Sequence, residues 1–362
     1  MSAPWDGVRR ILAVRLDNLG DVLMSTPAIS ALKASFPGSH LTLMASPSGA
    51  AITPFLPCVD DVMVYDAPWV KSNGTADGSA DLAMAERLRG LDFDAAVIFT
   101  VYSQSALPAA MLCRFAGIPR VLAHCRENPY RLLTHWVRDT AVEDSGRHEA
   151  QRQLDLVRTV GATVADERLV FEVAAADRIS LRGKLAARGV SAERGWTLVH
   201  PGATAPSRRY PAERFAIVAR SLADDGRGPV LVTGGPDEAE LASVVATLAG
   251  RDVISIAGAL SLGEFAALID DAAVLVSNNS GPVHLAAALG TPVVDLYALT
   301  NPQHTPWQVP SRVLFHDVPC KFCYRSECPQ GHHQCLRGVT PDAVIAAARE
   351  LHPIAHPLEP AA

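Results

Sequence analysis

The sequence carries few charges, and they do not lean positive. Charged residues make up 19% of the 362, with 32 Lys and Arg against 38 Asp and Glu, a formal net charge of −6. A general nucleic-acid binder needs a broad cationic footprint, so nucleic acid is not expected as a partner. No apolar run approaches the roughly 18 residues needed to cross a bilayer. The opening MSAPWDGVRR leads straight into ILAVRL, too short for the apolar core of a secretory signal, and the expected location is the cytoplasm. Peripheral membrane contact stays open, since it needs only a modest surface patch. Seven cysteines are too few for a disulfide scaffold at this length. The dinucleotide fingerprint GxGxxG is missing from the first strand-to-helix turn, RLDNLGDVLMSTPA, which holds Gly20 alone; this counts against an NAD- or FAD-dependent oxidoreductase.

What is present is apolar and periodic. Hydrophobic residues make up 49% of the chain, enough for real cores, and the length suggests two domains at roughly 150 residues each. Short β-branched runs alternate with stretches of helical period: ILAVRL, LTLMA, VMVYD and AAVIF in one series, then TLVHPG, PVLVTGG, DVISIAG, AAVLVSNN and PVVDLY in another. Such alternation reads as βαβ units, hence an α/β fold with parallel sheets covered by helices on both faces. The economical architecture is two Rossmann-like halves facing a central cleft, with ligands beyond the carboxyl ends of the strands. A charged helical region near 147–190 separates the series. In RHEAQRQLDLVRTVG, Leu154, Val157 and Val160 form a buried stripe, and AAADRISLRGKLAARG is expected to carry the linker. The boundary is placed at 176, giving domains 1–176 and 177–362.

Four turns could carry chemistry. Asp21 sits where the first helix begins, either as a helix N-terminal carboxylate stabilised by free N–H groups or as a base at the cleft; Asp17 divides the same way. In VHPGATAPSRRYPAERF a strand ends at His200, Gly202 turns the chain, and Arg208 and Arg209 follow on a small-residue loop beside a helix N-terminus. Two guanidiniums there suit a diphosphate, although an exposed basic pair would look the same. In LVTGGPDEAEL, Gly234 and Gly235 permit close approach of a ligand. The acids after them, Asp237 and Glu238, read better as a helix cap than as ribose acceptors. The most informative turn is VLVSNNSGPVHLAAALGTPVV. Asn279, Ser280 and Gly281 form a tight turn into a helix that ends at Gly290, and His284 in its first turn faces any anion held there.

With these motifs in this order, the chain resembles the family 9 glycosyltransferases, the group that includes the ADP-heptose lipopolysaccharide heptosyltransferases. GDVLMSTPAISALKASFPGSHLTLM looks like the family's opening segment, HPGATAPSRRYP like its basic loop, and SNNSGPVHLAAALGTPVV like its nucleotide-binding signature. The resemblance implies a GT-B fold and an inverting transfer from a nucleotide-diphosphate sugar, ADP-linked in the favoured case, with no metal or other cofactor. The implied acceptor is lipopolysaccharide core or another glycan or glycolipid, which would bring the enzyme to the cytoplasmic face of the inner membrane. A relative using another nucleotide sugar or a small natural-product acceptor, and a non-catalytic nucleotide-sugar binder, are the alternatives. By the same resemblance Asp21 is the general base, with Asn18 and Gly20 beside it on the acceptor side. Arg208 falls where the family usually has a Lys that neutralises the departing diphosphate. The implied donor set is His200, Gly202, Arg209, Gly234, Gly235, Asn279, Ser280, Gly281 and His284. Asn279 is a departure: the family commonly has Asp there, and Asn keeps an acceptor oxygen but loses the charge. The last helix, about 340–352, is expected to return to the first domain, as terminal helices do in GT-B proteins.

One segment stands outside this scheme. PCKFCYRSECPQGHHQCLRG bunches Cys320, Cys323, Cys328 and Cys335 around His332 and His333, in a spacing that is not that of a standard zinc finger or ribbon. A structural zinc, free thiols, and a redox pair or disulfide are the three readings, and no metal enters the expected mechanism.

Overall fold

The computed structural model describes residues 5–70, 77–140, 146–190 and 195–352. The chain divides into two compact units, one of residues 1–172 with 302–307 and one of residues 173–301 with 308–362.

The first unit contains β1 (Arg10–Arg15), α1 (Leu19–Ser35), β2 (His40–Ala45), a one-turn α2 (Pro47–Ala50), β3 (Asp61–Val64), α3 (Ser79–Arg89), β4 (Ala95–Ile98), α4 (Leu107–Phe115), β5 (Val121–Cys125), β6 (His135–Arg138) and α5 (Glu149–Arg158). Its strands form a parallel sheet in the order β3-β2-β1-β4-β5-β6. β1 and β4 are buried on both faces, as continuous apolar runs in a parallel sheet should be. Leu12, Val14, Ile98, Ala110 and Ala123 build one side of the core.

The second unit contains α6 (Ala175–Ala186), β7 (Thr197–His200), α7 (Ala212–Asp224), β8 (Val230–Val232), α8 (Ala239–Ala249), β9 (Val253–Ser255), α9 (Leu262–Asp270), β10 (Val274–Asn278), α10 (Gly281–Leu289), β11 (Val293–Leu296), β12 (Ser311–Leu314), a one-turn α11 (Gln334–Arg337) and α12 (Pro341–Leu351). The strand order β12-β11-β10-β7-β8-β9 repeats that of the first sheet, again all parallel. Each sheet therefore changes direction of build between its first and fourth strands, β1 and β4 or β7 and β10. Open α/β sheets bind ligands at such switch points, beyond the carboxyl ends of the strands. The two parallel α/β sheets are those of the expected GT-B class.

One expectation is corrected. The stretch read as carrying the linker is helix α6, which buries Leu181 and Leu185 and packs on α9. α12 buries Val344, Ile345, Ala347 and Ala348 in the second unit's own core, against α7 and strands β10 to β12. Its amphipathic stripe matches the apolar surface left open there, which fixes where it docks. The segment assigned across the division is Pro302–Trp307.

Candidate functional site

In the first unit, β1 delivers Arg15 to the switch point and the chain turns at once into α1. The Arg15 guanidinium is fully buried and meets three carboxylates: Asp17 at 3.1 Å, Asp21 at 3.4 Å and Glu149 at 3.1 Å. Burial works against its charge, but Asp17, Glu149 and Asp21 outweigh burial and push its pKa up. Glu149 opens α5, 134 residues away in sequence, and is itself fully buried. There too burial opposes ionisation, yet Arg152 and Arg15 hold its pKa down to about 2. Arg152 continues the network to Asp139 at 2.5 Å.

Asp21 stands in the first turn of α1 and accepts a hydrogen bond from the Asn18 amide at 3.3 Å, so it does serve as a helix-terminal carboxylate. It also keeps 17% of its side chain exposed, so the same group remains accessible to a substrate. Asn18 is the N-cap and Gly20 is buried in the first turn. Beside them a cavity of about 240 Å³ opens over the ends of β1 and β4, lined by Asp17, Trp69, Phe99 and Gln104 among others. Gln104 donates to Asp17 at 2.5 Å. Burial raises the Asp17 pKa to about 6, against the lowering by Arg15.

In the second unit, the loops after β7, β8 and β10 converge. His200 ends β7, buried and held neutral by desolvation, with Nδ1 on the Thr233 hydroxyl at 3.0 Å. It lines a cavity of about 230 Å³ with Gly234, Gly235, Ile256, Leu262 and Phe265. Glu238 packs over this loop so closely that any side chain at Gly202 would collide with it, and its carboxylate accepts from the Gly235 amide at 3.0 Å. Glu238 is thus a cap, as its position suggested. Asn278 ties two loops together: Nδ2 donates to the Pro201 carbonyl at 2.7 Å and Oδ1 accepts from the Tyr210 amide at 3.0 Å. That clamp fixes the ends of the segment bearing Arg208. Arg208 is half-buried at the end of a 3₁₀ turn. Arg209 is exposed and donates to the loop's own carbonyls, Ala203 at 2.7 Å and Thr204 at 3.4 Å, so much of its donor capacity goes to holding the loop.

Ser280 is the N-cap of α10, and its hydroxyl donates to the Asn278 carbonyl at 3.2 Å. Gly281 opens the helix, His284 lies buried in the first turn, and Gly290 ends it in the left-handed region at φ 80°. The helix amino end offers N–H groups and a positive dipole to an anion. Asn279 donates through Nδ2 to Asp295 on β11 at 3.0 Å.

The cysteine segment packs on this site. Ser207, next to Arg208, hydrogen-bonds the Arg325 and Ser326 carbonyls at 2.9 and 3.0 Å. Cys320, Cys323, Cys328 and Cys335 are free thiols, Cys320 Sγ lies 3.7 Å from His332 Nε2, and among the described residues no group of three or more His, Cys, Asp or Glu is arranged to hold a metal ion.

A family model described as glycosyltransferase family 9 (heptosyltransferase) matches residues 82–334, well over half of the chain. The chain belongs to this family. It is accordingly a glycosyltransferase. Lipopolysaccharide heptosyltransferase 2 of Salmonella typhimurium is 25% identical over 357 residues, 95% of this chain and 97% of the relative. The crystal structure of a family 9 glycosyl transferase from Veillonella parvula superposes with a TM-score of 0.80 at 24% identity, covering 95% of this chain and 97% of that one. Escherichia coli ADP-heptose lps heptosyltransferase II gives 0.74 at 23% identity, covering 94% and 98%. These two likenesses show the fold. Among the described residues no helix of this glycosyltransferase is long and apolar enough to cross a membrane.

Sequence reasoning reached the four turns but passed over Arg15, Glu149 and Asp295.

Proposed function

We propose that this glycosyltransferase moves heptose from ADP-heptose to a hydroxyl of a lipopolysaccharide-core acceptor, with inversion and without a metal ion. The first unit takes the acceptor and the second takes the donor. The observation that carries this reading is the pairing of chemistries: an accessible carboxylate at one switch point, and a cationic loop beside a helix amino end at the other. Relatives named as lipopolysaccharide heptosyltransferases over nearly the whole chain support the donor and acceptor class.

In this mechanism Asp21 accepts the proton of the acceptor hydroxyl as its oxygen forms the new bond to the anomeric carbon. The bond from that carbon to the diphosphate breaks on the opposite face, and ADP leaves with the electron pair. Arg15 keeps the Asp21 carboxylate in place, and Arg208 with the α10 amino end takes up the charge growing on the leaving group. The apolar wall of Ile256, Leu262 and Phe265 suits a nucleobase, and Gly234 and Gly235 suit the close approach of ribose or phosphate. A glycolipid acceptor would hold the enzyme at the cytoplasmic face of the inner membrane.

The test is thermal stability against ADP, UDP, GDP and CDP, followed by turnover of ADP-heptose in the presence of a chelator. A ligand at about 100 times its Kd adds roughly 2.7 kcal/mol to the folded state. Selective stabilisation by ADP and chelator-resistant turnover to the inverted anomer are expected. Preference for another nucleotide refutes the donor, and retention of configuration refutes the mechanism. Asp21→Asn should cut kcat by about a thousandfold and leave ADP affinity within about twofold, because the base acts only as the bond forms.

A further inference from the structure

Asp295 is a carboxylate where the sheet has no structural use for one. It lies on β11 between Val294 and Leu296, in register with Ser277 of β10, and no part of it is exposed. One oxygen accepts from Asn279 Nδ2 at 3.0 Å. The other, Oδ1, is buried and has no hydrogen-bond partner among the described residues. A valine would continue the strand's apolar run without that cost, since a buried acceptor left unpaired is penalised in full. Burial pushes the carboxyl up to about 8, eased by Asn279 and by the positive charge of Arg208. Arg208 shows the complementary defect: its Nε–H is buried without a partner. An acceptor and a cation, both under-satisfied, thus lie within electrostatic reach of each other beneath the turn that opens α10.

We propose that Asp295 is a positioning residue of the donor site, accepting from the side-chain amide of Asn279 and so fixing the phosphate-binding turn that opens α10. With its NH₂ anchored on the carboxylate, Asn279 has one orientation, and the turn keeps one shape. A turn already held in one shape does not have to be ordered when the diphosphate binds. Asp295 itself touches no substrate. The proposal rests on the donor-site reading above.

The experiment uses the full chain and ADP as probe. In Asp295→Val, which keeps the strand and removes the acceptor, ADP affinity and kcat should each fall about tenfold while KM for the acceptor stays within about twofold. A merely structural role would change the melting temperature and the active fraction and leave ADP affinity and both KM values where they were. Asn279→Asp alone removes the amide donor and should weaken ADP binding likewise. Combining Asn279→Asp with Asp295→Asn restores one carboxylate and one amide at hydrogen-bond distance, and should return ADP affinity to within about threefold of the parent, a coupling between contacting residues. The exchange variant also decides the matter should Asp295→Val alone not fold. Unchanged ADP affinity in folded Asp295→Val, or no recovery in the exchange variant, overturns the proposal. A parent chain that binds none of the nucleoside diphosphates overturns the donor-site reading instead.

Discussion

Glu149→Gln is the sharpest probe of how the first unit holds its first strand-to-helix turn. Glu149 is the buried counter-ion shared by Arg15 at 3.1 Å and Arg152 at 3.5 Å. Glutamine keeps the shape and removes the charge, leaving two guanidiniums in the interior with less compensation. Breaking a buried ion pair from one side costs about 3–5 kcal/mol. The pKa of Glu149 gives a second estimate: held at about 2 rather than 4.5, the carboxylate contributes about 3 kcal/mol to folding at neutral pH. Since the folded value is the lower one, that stability is present above pH 4.5 and is lost as the pH falls towards about 2. In a unit of this size 3–5 kcal/mol corresponds to a melting temperature lowered by roughly 6–20 °C at pH 7. Thermal melts of parent and variant between pH 7 and pH 2 measure both quantities. The gap should be widest at neutral pH, narrow below about pH 4.5 and close as the pH approaches about 2. A gap under about 2 °C at pH 7, or one that persists unchanged at pH 2, would show that Arg15 and Arg152 do not depend on Glu149.

Two further outcomes follow from the geometry. Arg208→Ala should weaken ADP binding by roughly 10- to 100-fold and slow transfer as well, measured by calorimetry and steady-state kinetics, because a charge-assisted contact to the diphosphate is lost. Asp17, raised to about 6 by burial, ionises as the pH rises through that value beside Asp21. The profile of kcat/KM against pH should therefore bend near 6 in the parent, and the bend should vanish in Asp17→Asn.

Much of the fold could be read from the chain because a parallel sheet buries both faces of its strands. ILAVRL, LTLMA and AAVLVSNN carry that demand openly, as predominantly apolar runs. β6 does not: HWVR alternates half-buried and exposed positions at a sheet edge, and β12 is similar. α6 was obscured by its charge, since a helix that buries little beyond Leu181 and Leu185 looks like a linker. The turns were legible because Gly, Ser and Pro mark backbone conformations that only certain residues permit. The ionic cluster was not, because Arg15 and Glu149 meet only after the chain has folded and no local pattern announces the pairing. Asn279 shows both sides of this. Its departure from the usual family residue was visible in the turn, while the carboxylate beside it sat unnoticed in PVVDLY, where every neighbour argued for a plain strand.

The segment Pro302–Trp307 has a consequence for how the polypeptide reaches this state during synthesis. The amino end of α5 is built partly from it: Glu149 N–H donates to the Gln303 carbonyl at 3.0 Å, His148 pairs with the Thr305 carbonyl at 2.7 Å and stacks on Trp307, and Trp307 donates to the Glu167 carbonyl at 2.7 Å. The first unit therefore cannot finish when its own 172 residues have left the ribosome. At typical elongation rates, about 7–30 s pass between the emergence of α5 and that of its strap. During that interval the buried arginine network stands open at one end, and the nascent second unit is made while the first is still incomplete. A chaperone acting on this nascent chain would meet a first unit whose missing piece is six residues long and is made only after most of the second unit.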